Sequence, residues 1–405
     1  MGKGEIRVRF ALSTSRTHSL YSEIIEAPPE GVSFITDEPE KEPTPGSKSR
    51  SGGLGVRLRR SPTVRAFADR VLVRSLPTDD GSIQWLSTRL GCAMVRLAGG
   101  KAGVDKSAEQ FDVFHSPGAS MVENIPWIVA NDVRWVVDFE HVGSLFGYYG
   151  DWKGRTLNAS RKKVLAKQLE SRYCRKLLPW SEASRRTVEI MFPQKEVMDK
   201  TEVLRLAIRP APPRPSDIPK HDAVRILFIG SSNFKGEFWS KGGYEVLESY
   251  KRLRDKLGDS VELVFRCWMP DEMRDRYASV PGLHSITDVL PRDAFDKLFW
   301  ESDIFLFPAH NTPGMAFLEA MRFGLPIVGK SVWGNSEIVE DGVSGYLVDP
   351  SEKVPYYVSG SVPNWGGDDS PFLQYMRIHD ERVINDLVDR LTLLVESENL
   401  RKSMG

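Results

Sequence analysis

Four segments of this 405-residue chain combine residue types that could hold an anion or a sugar. In GSSNFKGEFWSKGGYEVL, Gly230 to Leu247, glycines and small hydroxyls including Ser231 lead to a helix near Gly243, with Lys235 and Lys241 ahead of it. Glycines let backbone amides approach an anion, a helix N-terminus adds a favourable dipole, and either lysine could neutralise phosphate. A flexible loop with solvated lysines would carry the same residues. In HNTPGMAFLEAMRFGLPIVG, His310 to Gly329, the chain leaves the apolar run DIFLFP and begins a short helix at Gly314. Free amides at Gly314, Met315 and Ala316 suit a phosphate or a sugar hydroxyl. Glu319, one turn further on, has two acceptor oxygens that can grip a vicinal diol such as a ribose; it could equally form a surface pair with Arg322 at i+3. Asn335 and Ser336 ahead of Glu337 read as a third helix start, ordinary capping alone but more telling beside the other two. In the first half, RWVVDFEHVGSLFG sets Asp138, Glu140 and His141 just past a buried strand. That histidine could be a general base, a sugar ligand or a satisfied structural residue.

These segments matter only if the elements around them bring them to one edge. From residue 222 the chain alternates. AVRILFIG reads as a strand, GGYEVLESYKRLRDKLG as an amphipathic helix, VELVFRCW as a strand and PDEMRDRYASV as a helix. A short strand at HSIT, a helix in PRDAFDKLFWES, the strand DIFLFP, the helix after Gly314, the strand LPIVGK and a helix in NSEIVED follow. Such a run of βαβ units predicts a doubly wound parallel sheet, whose ligands bind beyond the carboxyl ends of the strands. The first half is less regular: EIRVRFALS, FDVFHS, PWIVAND and RWVVDFEHVG read as strands and RKKVLAKQLESRYCRKLL as a helix.

Length suits two domains. RPAPPRPSDIPK, with five prolines in twelve residues, excludes helix interior and central strand. The expected division is an N-terminal domain over 1–208, a linker over 209–220 and a C-terminal domain over 221–405. Within the first, residues 37–62 are rich in Pro, Gly, Ser and charge and read as a mobile loop. Lys+Arg and Asp+Glu both number 55, so no global field points to a nucleic acid partner. Cys92, Cys174 and Cys267 lie far apart with no metal-ligand spacing, the pattern of separate thiols in a reducing compartment. With no signal-peptide core and no long apolar window, the expectation is a cytoplasmic protein, soluble or at a membrane surface.

In order and spacing, FIG, KGG, LEAMRFGLPIV and GNSEIVEDGVSGYLVDP resemble the retaining glycosyltransferases of the GT-B fold, in particular the GT4 group of glycosyl transferases group 1. The likeness covers nearly all of residues 222 to 350. More loosely, FDVFHS, WVVDFEHVGS and LPWSEASRRTVE resemble that family's acceptor domain. The resemblance implies an α/β fold of two Rossmann-like doubly wound domains facing each other across a cleft. It implies a metal-independent retaining hexosyltransferase with no cofactor, using a nucleotide diphosphate sugar as donor and a glycan or lipid-linked acceptor. It places Glu319 on the nucleotide ribose and Gly314, Met315 and Ala316 at the donor sugar and diphosphate. Lys241 would hold the diphosphate beside Gly230, and His141 would lie near the reacting sugar.

Three departures qualify this. Asn311 stands eight residues before Glu319, where the family has a first carboxylate, and Ser231 stands where it usually has an arginine. Lys235 could supply the missing positive charge. The chain stops at ENLRKSMG, about where the family's final crossover to the first domain would begin, so that crossover is absent or the chain shortened. A catalytically impaired protein that binds a nucleotide sugar or a partner is the alternative. From Lys48 to Arg74, eight Lys/Arg face the single acid Asp69, and SPTVRAFADRVLVRSL could form a helix able to contact an anionic inner membrane surface; a solvated loop and an ordinary core helix are the plainer alternative.

Overall fold

A computed structural model describes residues 5–10, 24–36, 111–117, 133–146, 159–219, 221–230, 237–310, 314–354 and 371–405. The chain divides into two compact units, the change falling between Arg205 and Leu206. The expected loop over 37–62, the helix in Ser61–Leu76 and the strand PWIVAND lie outside the described residues.

The first unit is built on five parallel strands, β1 (Ile6–Phe10), β2 (Val32–Thr36), β3 (Val113–Pro117), β4 (Trp135–Phe139) and β5 (Cys174–Pro179), in the order β2-β1-β3-β4-β5. Two of these correct the sequence expectation. Strand β2 was not anticipated, and the helix expected to run from Arg161 to Leu178 spans Ala159–Glu170 and gives way to β5. A non-local contact holds the stop: the Lys200 ammonium donates to the carbonyls of Leu169, Glu170 and Ser171 at 2.9, 2.8 and 2.7 Å. A cation on the last turn satisfies orphan carbonyls and complements the helix dipole.

The second unit carries six parallel strands, β6 (Val224–Ile229), β7 (Val261–Arg266), β8 (Leu283–Ile286), β9 (Ile304–Phe307), β10 (Ile327–Lys330) and β11 (Gly345–Val348), in the order β11-β10-β9-β6-β7-β8. Apart from the edge strand β8, where His284 and Ser285 are exposed, the strands are mostly apolar because both faces are covered. Phe228, Phe265, Phe305 and Phe307 are buried at their centre, the Phe228 and Phe265 rings lying 4.7 Å apart. Strand order reverses between β6 and β9, the switch point at which such sheets leave a crevice beyond their carboxyl ends. The helix expected in NSEIVED is a single 3-10 turn, Asn335–Glu337. Gly334 and not Asn335 stands at its cap position, so no side chain caps it; Asn335 is buried one place inside, its Nδ2 donating to the Lys330 carbonyl at 2.8 Å.

Each unit holds one described cysteine. Cys174 on β5 and Cys267 just past β7 are both buried, and burial pushes both thiols up to about 12.

Candidate functional site

In the second unit the switch point is lined by segments that need glycine for close approach. Gly230 follows β6; its N–H donates to the Arg266 carbonyl and its own carbonyl accepts from Arg266 Nη1, both at 2.8 Å. A Cβ on it would strike the Cys267 sulfur. Gly242, at φ +78°, starts the Gly243–Leu257 helix, and a Cβ there would strike the Pro308 carbonyl just past β9. The Lys-Gly-Gly sequence thus lets a helix N-terminus approach the end of β9, carrying Lys241 with it. The Lys241 ammonium sits 5.8 Å from the centre of the Phe307 ring.

After β9 the described chain resumes at Gly314, whose φ of +30° and ψ of −89° turn it into the Met315–Arg322 helix with no side-chain cap. The first-turn amides, Met315 and Ala316 among them, are therefore available to a ligand. Buried Met315, Phe317 and Ala320 seat this helix on the sheet. Glu319, on the less buried side, accepts from Arg292 Nη1 at 3.4 Å. Arg292 opens the Arg292–Trp300 helix and also reaches Asp296 at 2.8 Å. The structure thus gives Glu319 a cationic partner from another helix, which i+3 spacing could not have revealed. Gly230, Lys241, Gly314, Met315, Ala316 and Glu319 all stand at the carboxyl edge of this sheet. Ser231, Lys235 and Asn311 lie outside the described residues.

Beneath this edge is a cluster the sequence reading did not pick out. His310 Nε2–H donates to Glu245 Oε1 at 2.7 Å, and the Lys330 ammonium donates to the same oxygen at 3.1 Å and lies beside the imidazole, 3.0 Å from Nε2 and 3.2 Å from Nδ1. All three side chains are buried. Burial alone would raise the Glu245 carboxyl, but the Lys330 charge and the His310 bond bring it down to about 2. Burial, with Lys330 adding to it, lowers His310 and holds the ring neutral. The available signal was Lys330 itself, a lysine closing an otherwise apolar strand.

His141 belongs to the first unit and is buried just past β4. Its Nδ1 accepts from the Gly143 N–H at 2.9 Å, and the loop is held by the Val142 N–H on Thr187 Oγ1 at 3.0 Å. Burial lowers its pKa to about 3, so near neutral pH the ring is uncharged with its proton on Nε2, a hydrogen-bond donor and a weak base. Asp138 is sunk in a network, accepting from His115 Nε2 at 2.7 Å and Trp180 Nε1 at 2.8 Å. The unfolded chain takes up a proton on residue 141 below its ordinary 6.5, whereas the folded one does so only near 3. The stability this histidine allows is complete above pH 6.5 and falls as pH drops toward 3. His141→Gln is expected to flatten that part of the stability-versus-pH curve, measured by urea unfolding between pH 7.5 and 5. An unchanged slope would remove the assignment of a neutral buried ring.

Two parallel α/β units with these strand orders define a GT-B protein. Anabaena HepE, solved in complex with UDP-glucose, shares this fold at 11% identity and a TM-score of 0.52, over 99% of this chain and 93% of that one. Residues 223–356, the stretch containing the whole edge from β6 to β11, match the family described as Glycosyl transferases group 1. Among curated proteins the chain is similar to an uncharacterized glycosyltransferase of Methanocaldococcus jannaschii, 25% identical over 150 residues, 36% of this chain and 37% of that protein. It is also similar to the sulfoquinovosyl transferase SQD2 of Arabidopsis thaliana, 26% identical over 111 residues, 26% of this chain and 21% of that protein. The matches thus span well under half of those relatives' lengths. Among the described residues no helix is long and apolar enough to cross a membrane.

Proposed function

We propose that this chain is a retaining GT4-type glycosyltransferase that moves a hexose from a nucleotide diphosphate sugar to a glycan or lipid-linked acceptor. The observation that carries the proposal is the placement of Lys241, the Gly314 turn and Glu319 at the β6/β9 switch point, inside the stretch that matches the family. UDP-glucose bound by the structural relative supports a nucleotide sugar as donor. In this reading Glu319 holds the ribose diol, and Lys241 with the amides of Gly314, Met315 and Ala316 faces the diphosphate. Gly230 belongs to the same donor site, and Ser231 and Lys235 are assigned to it by the sequence resemblance.

The bond from the anomeric carbon to the phosphate oxygen breaks, and a bond from that carbon to the acceptor oxygen forms on the same face. The acceptor proton leaves on the released nucleoside diphosphate. Fixed amides and a lysine stabilise the developing phosphate charge without reorganising, so the step needs neither metal nor cofactor. Asn311 can hydrogen-bond a sugar hydroxyl but offers no negative charge to an oxocarbenium-like carbon. His141 would contribute its Nε2–H to a sugar hydroxyl. Cytoplasmic location, with peripheral membrane contact through the basic Lys48–Arg74 segment, belongs to the same proposal.

The second reading is a binding protein that has lost catalysis, favoured by Asn311 and Ser231 at two positions where the family carries charge. Purified protein is to be incubated with UDP-, GDP- and ADP-hexoses, and sugar release or transfer followed beside an Asn311→Glu variant. Turnover by the wild type, raised several-fold in the variant, is expected. Donor binding without turnover in either protein would reject the enzyme reading and leave the binding protein.

A further inference from the structure

His310 is tied to three segments beside the candidate donor site in the second unit: the one carrying Lys241, the helix that Gly242 starts, and the stretch from Lys330 to Trp333. Its backbone N–H donates to the Ser240 carbonyl at 2.8 Å, next to Lys241. Its ring joins Glu245, in the first turn of the helix that Gly242 starts, to Lys330 at the end of β10. Its carbonyl accepts from the Trp333 indole Nε1–H at 3.3 Å. From His310 the chain runs on to Gly314 and the helix bearing Glu319. Trp333 itself is buried and sits at φ +50°, a left-handed conformation costing a bulky side chain on the order of 1–3 kcal/mol. Such strain persists only where the surroundings hold it, and here the indole bond to His310 is part of what holds it.

We propose that His310, clamped by Trp333 and by the Glu245–Lys330 pair, is a positioning residue for the nucleoside diphosphate part of the donor. It fixes Lys241, the end of β9 and the end of β10 relative to one another before the ligand arrives. Because Glu245 and Lys330 cancel and His310 is neutral, the cluster braces the site without placing net charge beneath the diphosphate. The ordering of these loops is then complete in the free protein and is not subtracted from the binding free energy. This inference rests on the donor-site reading above. It adds that the network acts on ligand affinity and not only on folding.

The test uses the full chain as wild type, His310→Leu, His310→Gln and Trp333→Phe. Leucine removes both ring bonds while leaving Glu245 and Lys330 in contact with each other. Glutamine restores one donor and one acceptor, and phenylalanine removes only the indole N–H. Affinities for UDP, GDP and ADP are measured by calorimetry at a temperature well below the melting transition of every variant. The wild type is expected to bind one of these nucleotides. His310→Leu and Trp333→Phe are each expected to bind it about ten-fold more weakly, because the loosened segments must then be ordered on binding, and His310→Gln within about two-fold of wild type. Equal affinity in all four proteins, whatever their melting temperatures, would overturn the positioning role. So would a glutamine variant as weak as leucine. If Trp333→Phe does not fold, the leucine and glutamine pair decides. A wild type that binds none of the three nucleotides removes the donor-site reading, and the inference falls with it.

Discussion

Lys330→Met is expected to unfold about 3–5 kcal/mol more easily than the wild type, because it strands the Glu245 carboxylate in the interior without its cation. Lys330 and Glu245 are both nearly inaccessible, at 1% and 8% of side-chain surface, so neither can turn to water when its partner is lost. The double variant Glu245→Leu with Lys330→Met has no stranded charge and is expected to recover most of the loss. Urea unfolding of the three proteins near neutral pH decides it. Single-variant losses below about 1 kcal/mol, the range of an exposed pair, would show that the cluster is hydrated. Acid gives an independent approach. The Glu245 carboxyl titrates near 2 when folded and near its ordinary 4.5 when unfolded, so its contribution is complete above about pH 4.5 and is lost as pH falls toward 2.

Glu319→Gln should do the reverse, leaving stability nearly intact while weakening donor use. Its ion pair with Arg292 is 3.4 Å long and the arginine is half exposed, so losing it costs the fold about 0–1 kcal/mol. If both carboxylate oxygens hold the ribose diol, however, the amide keeps one acceptor and presents an NH2 to the other hydroxyl. Charge-assisted hydrogen bonds contribute about 1.5–3 kcal/mol each, so a loss on the order of 100-fold in kcat/KM is expected. The loss should be carried mostly by KM, since the ribose is bound alike before and during reaction. Steady-state kinetics with the hexose donor that the wild type turns over measures it. A variant within two- or three-fold of wild type would take Glu319 out of the site. Arg292→Ala supplies the control, since it removes the Arg292 contact while leaving both carboxylate oxygens of Glu319 in place.

The second unit was the more legible half, for a physical reason. Apart from the edge strand β8, its strands are buried on both faces and its helices on one, so two distinct periods alternate along the sequence, and each predicted strand from β6 to β10 falls where the apolar run stands. The N-terminal helix was misjudged because Tyr173, Cys174, Leu177 and Leu178 continue a 3.6-residue pattern past the true stop. What holds that stop is Lys200, thirty residues away, which no local pattern encodes. The NSEIVED turn was misjudged because Asn335 looks like a cap, while in the structure it is the first residue of the turn and Gly334, with no side chain to offer, stands at the cap position. The residues proposed to face the ligand were legible in the sequence because glycines and a strand-to-helix junction mark them. The His310 cluster was missed because its members are 65 and 20 residues apart and meet only once a helix N-terminus and the ends of β9 and β10 are side by side.

The two buried thiols also give the molecule a clock in each half. A maleimide or other alkylating reagent needs thiolate, and Cys174 and Cys267, held near 12 inside their own units, expose it only when the surrounding structure opens. With Cys92 replaced by serine, one native probe remains in β5 and one behind Gly230. Mass spectrometry of alkylated peptides would then time the opening of the two halves separately in a single sample. Added nucleotide that slows Cys267 and leaves Cys174 unchanged would locate its binding in the second half without any label on the ligand.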